Sequence, residues 1–160
     1  MYDKGKYSGE FKNGRKEGKG TFYYNHGDKY EGDYKNDKRE GKGKYYYKDG
    51  DRYEGDFKND IREGKGIMYY NDGNRYEGNW KNDKREGKGI YYFNYGEFRG
   101  DRYEGDYKND RSEGRGTYYK KNGNRYEGDW KNDKSEGKGI YYFKNGKMDI
   151  CNYLNDIKID

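Results

Sequence analysis

Among the side chains of this 160-residue sequence that could do nucleophilic or acid–base chemistry without recurring along the whole chain are one histidine, one cysteine and three serines. His26 occupies a place that Asp49, Asp72 and Asn122 hold in equivalent segments, so it reads as an exposed turn residue and not as a base. Cys151 has no sequence-level histidine and asparagine signature that would activate it as a nucleophile. Ser8, Ser112 and Ser135 replace charged residues and read as surface exchanges. Asp49-Gly50-Asp51 and Asp72-Gly73-Asn74 resemble fragments of calcium loops, but the closing bidentate glutamate is missing. Gly41-Lys42-Gly43 has the composition of a phosphate cradle, yet it lies inside a predicted strand and opens no helix. The expectation is a protein with no catalytic residue, no metal and no cofactor.

The elements that would position any functional group are repeated. Tyr-x-Gly returns at Tyr7, Tyr30, Tyr53, Tyr76, Tyr103 and Tyr126, with starts 23 residues apart except for one step of 27. Such a period marks stacked units that are too small to fold alone. Repeats run over 7–29, 30–52, 53–75, 76–102, 103–125 and 126–147, with a lead at 1–6, a cap or tail at 148–160, and an insertion at Glu97 to Gly100.

Composition alone resembles a disordered chain: 28% hydrophobic, 42% charged, and without Ala, Val or Pro. The 24 Tyr, 6 Phe and 2 Trp fall at fixed places in the repeat, so rings must supply the burial that aliphatics normally give. The net charge of +5 comes from interleaved basic and acidic groups, which argues against a nucleic-acid arm. The single cysteine fits a reducing compartment, and no apolar stretch resembles a signal peptide or a membrane span. A cytoplasmic protein, at most peripheral to membrane or cytoskeleton, is expected.

Each unit reads as strand, turn, strand, turn. Alternation puts Tyr30, Gly32 and Tyr34 on one face and Glu31, Asp33 and Lys35 on the other, with reversal at Asn36-Asp37. In the second strand Gly41, Gly43, Tyr45 and Tyr47 share the aromatic face, where the glycines make room for a ring from an adjacent strand. Gly27, Gly50, Gly73 and Gly123 sit at hairpin positions that favour positive φ. At the end of the chain, Ile150, Leu154 and Ile157 have i, i+4, i+7 spacing, which predicts a short helix capping the sheet.

The pattern Tyr-x-Gly-x-x-x-x-Gly-x-x-x-Gly-x-Gly, with a further Gly downstream, resembles the MORN (membrane occupation and recognition nexus) repeat. Tyr7, Gly9, Gly14, Gly18, Gly20 and Gly27 fill all its positions. From the second repeat on, the Gly14 position becomes Asp37, Asp60, Asp83, Asp110 and Asp133, which leaves the turn type open. The resemblance implies an all-β fold, an elongated single-layer antiparallel β-meander of stacked hairpins with a concave aromatic face. It also implies a non-catalytic scaffold for protein partners, self-association as a homodimer included, or a module for anionic phosphoinositides. Ile90-Tyr91-Tyr92-Phe93-Asn94 also looks like the hairpins of choline- and glucan-binding repeats.

Two candidate binding surfaces follow. An aromatic groove for a helical or extended protein segment comprises Tyr34, Phe57, Trp80, Tyr107, Trp130, Tyr47, Tyr70 and Phe93, with the tryptophans as anchors. A basic row at the hairpin tips comprises Lys38, Arg39, Arg62, Lys84, Arg85, Arg111 and Lys134 and would face anionic lipid. The tip residues Glu17, Glu40, Glu63, Glu86, Glu113 and Glu136 offset that charge.

Overall fold

The computed structural model describes residues 4–159. Strands β1 (Gly5–Lys12), β2 (Arg15–Tyr24), β3 (Lys29–Lys35), β4 (Lys38–Tyr46), β5 (Arg52–Lys58), β6 (Ile61–Tyr69) and β7 (Arg75–Lys81) lead the chain. They are followed by β8 (Lys84–Tyr92), β9 (Arg102–Lys108), β10 (Arg111–Tyr119), β11 (Arg125–Lys131), β12 (Lys134–Tyr142), β13 (Met148–Leu154) and β14 (Ile157–Lys158). The strands lie in chain order in one open antiparallel sheet, and the described residues contain no helix. The chain divides into two compact units, Met1–Asn71 with Trp80–Asp83 and Asp72–Asn79 with Lys84–Asp160.

Both units are built from the same hairpin. Within the first, Lys35 pairs with Lys38 across Asn36 (φ 48°) and Asp37 (φ 70°), a two-residue turn with both central residues left-handed. That is the type I′ geometry, whose twist matches the strands. Asn13 (φ 51°) and Gly14 (φ 75°) do the same in the first repeat. The change from Gly to Asp therefore leaves the turn type as it was. Further along β3 and β4, Gly32 pairs with Gly43 and Tyr34 with Arg39, so Asp33 faces Glu40, Gly41 and Lys42. This bulge needs the left-handed Gly41 (φ 68°), and the Asp33 carboxylate accepts the Lys42 N–H at 3.2 Å.

The second unit repeats the scheme and ends differently from the expected helix. Residues 148–158 form the β13–β14 hairpin, with Gly139 paired to Cys151 and Tyr142 to Met148. Ile150 is 72% exposed and Ile157 67%, so the helical stripe covers nothing. The open edge of β12 presents backbone donors and acceptors, and a strand satisfies them where a helix could not. This tail is a degenerate half-repeat. Tyr153 takes the fifth-position ring, Asn155 (φ 51°) and Asp156 (φ 70°) take the turn, and Asp149 and Cys151 stand in for the tyrosine and glycine of Tyr-x-Gly.

Candidate binding surface

The innermost row of the aromatic face consists of the Tyr-x-Gly tyrosines. Tyr30, Tyr53 and Tyr76 are 0% exposed, and each phenol donates to the carbonyl three residues on, as Tyr53 does to Asp56 at 3.1 Å. Their rings lie across strand glycines. A Cβ on Gly43 would sit 2.4 Å from the Tyr30 Oη, and one on Gly66 would sit 2.3 Å from that of Tyr53. The paired replacement of tyrosine by Asp149 and glycine by Cys151 follows: with no ring to lay over the backbone, a side chain fits. Fifth-position rings meet the first row edge-on. Tyr53 touches Phe57 at 5.2 Å in its own repeat and Trp80 at 5.2 Å in the next, and Tyr103 touches Tyr107 at 5.4 Å and Trp130 at 4.9 Å.

Arginines complete this layer. Arg39 lies over Tyr30, Tyr45 and Phe57 at 5.2–5.6 Å, and Arg62 lies 4.4 Å from the Trp80 ring centroid. Each guanidinium also reaches the next turn: Arg62 Nε is 3.1 Å from Asp83 Oδ1, and its Nη2 donates to the Asp83 carbonyl at 2.6 Å. Arg39 and Asp60, and Arg85 and Asp110, are joined in the same way. Ring contact and ion pair together pin these residues across the sheet.

The tip carboxylates are structural as well. Glu17, Glu40, Glu63, Glu86, Glu113 and Glu136 each accept the backbone N–H of the asparagine in the following turn, at 3.0–3.1 Å. The turn aspartates accept the N–H of Lys16, Arg39, Arg62, Arg85, Ser112 and Ser135 at 2.7–2.9 Å. Within each unit, successive hairpin tips are thus clamped together by pairs of charge-assisted bonds. At the other end, Asp28 accepts from Tyr45, Lys48 N and His26. Burial opposes ionisation there, but these bonds hold the Asp28 carboxyl below its usual range. The opposite face carries its own cation–ring pairs, with Lys29 over Tyr46, Arg52 over Tyr69, Arg75 over Tyr92, Arg102 over Tyr119 and Arg125 over Tyr142 at 3.8–4.3 Å.

These contacts divide the residues singled out in the sequence. Tyr34, Phe57, Trp80 and Tyr107 are 4–5% exposed and form the packed layer, whereas Tyr47, Tyr70, Phe93 and Trp130 are half-buried. Of the basic tips, Arg39, Arg62 and Arg85 have side chains only 18–20% exposed and are held by rings and aspartates. Lys38, Lys84, Arg111 and Lys134 are exposed; the first three reach Asn59, Asn109 and Asn132 of the neighbouring turns. Ser112 and Ser135 are buried, at 5% and 6%, and are not surface exchanges. They stand at the arginine position, and Ser112 Oγ is 3.2 Å from Asp133 Oδ1. The 23-residue spacing of Arg39, Arg62 and Arg85, and of Ser112 and Ser135, carried that signal. The insertion at Glu97 to Gly100 extends a turn in which Phe93 N–H donates to the Asp101 carbonyl, and Tyr95 and Phe98 are 68% and 50% exposed.

The MORN repeat matches residues 7–29, 30–52, 53–75, 76–94, 103–125 and 126–148. The chain belongs to the MORN repeat family. The break in the fourth match falls on the extended turn. No curated protein sequence is significantly similar to the chain. Among solved structures, the SAS-4 (dCPAP) TCP domain of Drosophila melanogaster, in complex with a proline-rich motif of Ana2 (dSTIL), has a similar fold. The identity is 18% and the TM-score 0.54, with 85% of this chain and 72% of that chain covered. A mutant of the TCP10 domain of Danio rerio CPAP aligns at 10% identity and a TM-score of 0.33, over 84% of this chain and 66% of that chain. With the first of these domains, what the chain shares is the fold alone.

Proposed function

We propose that this MORN array is a non-enzymatic scaffold that binds an extended protein segment on its aromatic face. The observation that carries the reading is the split within that face. One ring row is sealed, while Tyr47, Tyr70, Phe93 and Trp130 keep part of their surface in water. Rings presented on a hydrogen-bonded sheet can receive a proline-rich or otherwise extended segment, whose preformed extended backbone has little freedom left to lose. The fold shared with a domain in complex with a proline-rich motif supports a partner of that type. The lipid reading is weakened because the guanidinium groups of Arg39, Arg62 and Arg85 are committed to aspartates and rings.

The test is an array of proline-rich and helical peptides probed with the full chain and with Trp130→Ala and Phe93→Ala, alongside vesicles containing phosphoinositides at ~0.15 M salt. Proline-rich peptides should bind and lose roughly tenfold or more on Trp130→Ala, and the vesicles should pellet no protein. Peptide binding unaffected by both variants would remove the aromatic face. Vesicle pelleting that disappears on charge removal at Lys38, Lys84 and Lys134, without peptide binding, would replace the reading with a lipid module. Light scattering of the free chain reads out self-association, which is the remaining form of protein partner.

A further inference from the structure

Trp80 and Trp130 occupy the same place in their repeats and adopt the same pose. Trp80 Nε1 donates to the Gly66 carbonyl at 3.2 Å, and Trp130 Nε1 to the Gly116 carbonyl at 3.1 Å. Each meets the preceding Tyr-x-Gly tyrosine edge-on, Tyr53 at 5.2 Å and Tyr103 at 4.9 Å. What differs is the group above the indole. Arg62 covers Trp80, which is 4% exposed; Ser112 stands in the corresponding position beside Trp130, which is half-buried. Among the described residues no cation lies over the Trp130 ring.

The acceptors that receive the arginine are still present. In the first unit, Arg62 pairs with Asp83 through its carboxylate and backbone carbonyl. In the second, Asp133 has the equivalent position, and its Oδ1 takes the N–H and hydroxyl of Ser112 at 2.7 and 3.2 Å. Serine carries no charge, so among the described residues Asp133 lacks the cation that Asp60, Asp83 and Asp110 possess. Tyr118, 6.3 Å from Trp130 and half-buried, closes the remaining side.

We propose that the face of Trp130, bounded by Tyr103, Tyr118, Ser112 and Asp133, is a docking slot for an arginine side chain presented by an extended segment of a protein partner. The chain itself indicates the occupant, since Arg39, Arg62 and Arg85 show three times which group fits these rings and this turn. Arginine suits it better than lysine, because a planar guanidinium stacks on an indole while its N–H fork reaches a carboxylate and a carbonyl together. Lys16, at the same position in the first repeat, lies 4.3 Å from the Phe22 ring centroid and 5.4–5.5 Å from those of Tyr7 and Tyr34, with only a single point charge to offer Asp37. The slot rests on the reading of the aromatic face as a protein-binding surface and names the side chain that face selects.

The experiment follows the two indole N–H resonances of the 15N-labelled full chain during titration with a proline-rich peptide containing one central arginine. A matched peptide carries citrulline, which has the same shape without the charge. The Trp130 resonance should move saturably with the arginine peptide while that of Trp80, already covered by Arg62, stays in place. Citrulline should bind about tenfold more weakly. Asp133→Asn should weaken arginine binding severalfold, and Ser112→Arg should abolish it by filling the slot from within. Equal binding of the two peptides would overturn the slot while leaving peptide recognition by the face intact. Undiminished binding by a folded Ser112→Arg, or a Trp130 resonance that ignores the arginine peptide, would overturn it as well. If Ser112→Arg fails to fold, the arginine–citrulline comparison on the wild-type chain decides alone.

Discussion

Adding one methyl group at Gly66 tests whether the ring-over-glycine arrangement holds the sheet together. A Cβ there would lie 2.3 Å from Tyr53 Oη and 2.5 Å from its Cε2 and Cζ. Ordinary contact between such atoms is about 3.5–4.0 Å, so the ring must retreat by more than ~1 Å. It has nowhere to go. Tyr53 is 0% exposed, wedged between Phe57 and Trp80 at 5.2 Å each, and Arg62 lies 5.5 Å from its ring centroid. Overpacking of this kind costs about 1–3 kcal/mol. Retreat also breaks the 3.1 Å bond to the Asp56 carbonyl, and an unmet buried polar group adds about 1–3 kcal/mol. Complete expulsion of the ring would forfeit ~200 Å² of burial, about 5 kcal/mol, which caps the sum. The expected cost of Gly66→Ala is therefore roughly 2–5 kcal/mol. Urea unfolding followed by circular dichroism measures it, with amide exchange in β5 and β6 reporting whether the loss is local. Gly14→Ala is the control. Its Cβ would meet nothing within 4 Å, and only its φ of 75° is unfavourable, which costs about 1 kcal/mol. In the double variant Tyr53→Ala, Gly66→Ala, the costs should fall short of their sum, because the first change removes the obstacle. A Gly66→Ala chain no less stable than Gly14→Ala would refute the steric account of these glycines.

Other outcomes follow from the same contacts. Among the described residues Tyr126 Oη is buried without a hydrogen-bond partner, so Tyr126→Phe should be neutral or slightly stabilising, whereas Tyr53→Phe should cost about 1–2 kcal/mol in thermal unfolding. Glu63→Ala should cost about 1–2 kcal/mol by releasing the Asn82 N–H, while Lys84→Ala should stay within ~0.5 kcal/mol, which parallel denaturation curves would show. Burial raises the phenol pKa of Tyr126 to about 12 and raises those of Tyr30, Tyr53 and Tyr107 as well, above the ordinary value of 10.0. With folded values above the unfolded one, their contribution is complete below pH ~10 and is lost as pH climbs through the folded values, by roughly 1.4 kcal/mol per fully buried tyrosine at pH 11. Stability should be flat on the alkaline side to about pH 9.5 and then collapse, and an alkaline titration showing ionisation of these phenols before unfolding would contradict their burial.

Much of the fold was legible because the repeat multiplies each local signal. Tyr30, Gly32 and Tyr34 alternate with charged residues, Asn36-Asp37 and Gly50 mark reversals, and the same marks recur along the array. The C-terminal segment was misread where the repeat degenerates. Ile150, Leu154 and Ile157 have helical spacing, but an open strand edge outranks a three-residue stripe, and Cys151 and Tyr153 kept the alternation of a strand. The candidate surface was legible only in part. Rings could be assigned to one face, but exposure depends on what lies above each ring, and that is contributed by a residue on another strand, as Arg62 covers Trp80 from 18 positions away.

The sequence by itself determined an all-β array with an aromatic face, since periodicity and turn chemistry are local properties that neighbouring repeats only reinforce. Tertiary structure alone decided what the charges do. Arg62 and Glu63 are adjacent in sequence and both read as charges at a hairpin tip, yet one closes the ring layer over Trp80 and the other caps the next turn at Asn82. The physical reason is reach across the strands: a long side chain acquires its partner only when the following hairpin is laid beside it. Ser112 is the counterpart of that rule. Its meaning appears once the arginine it replaces has been seen in place over a tryptophan.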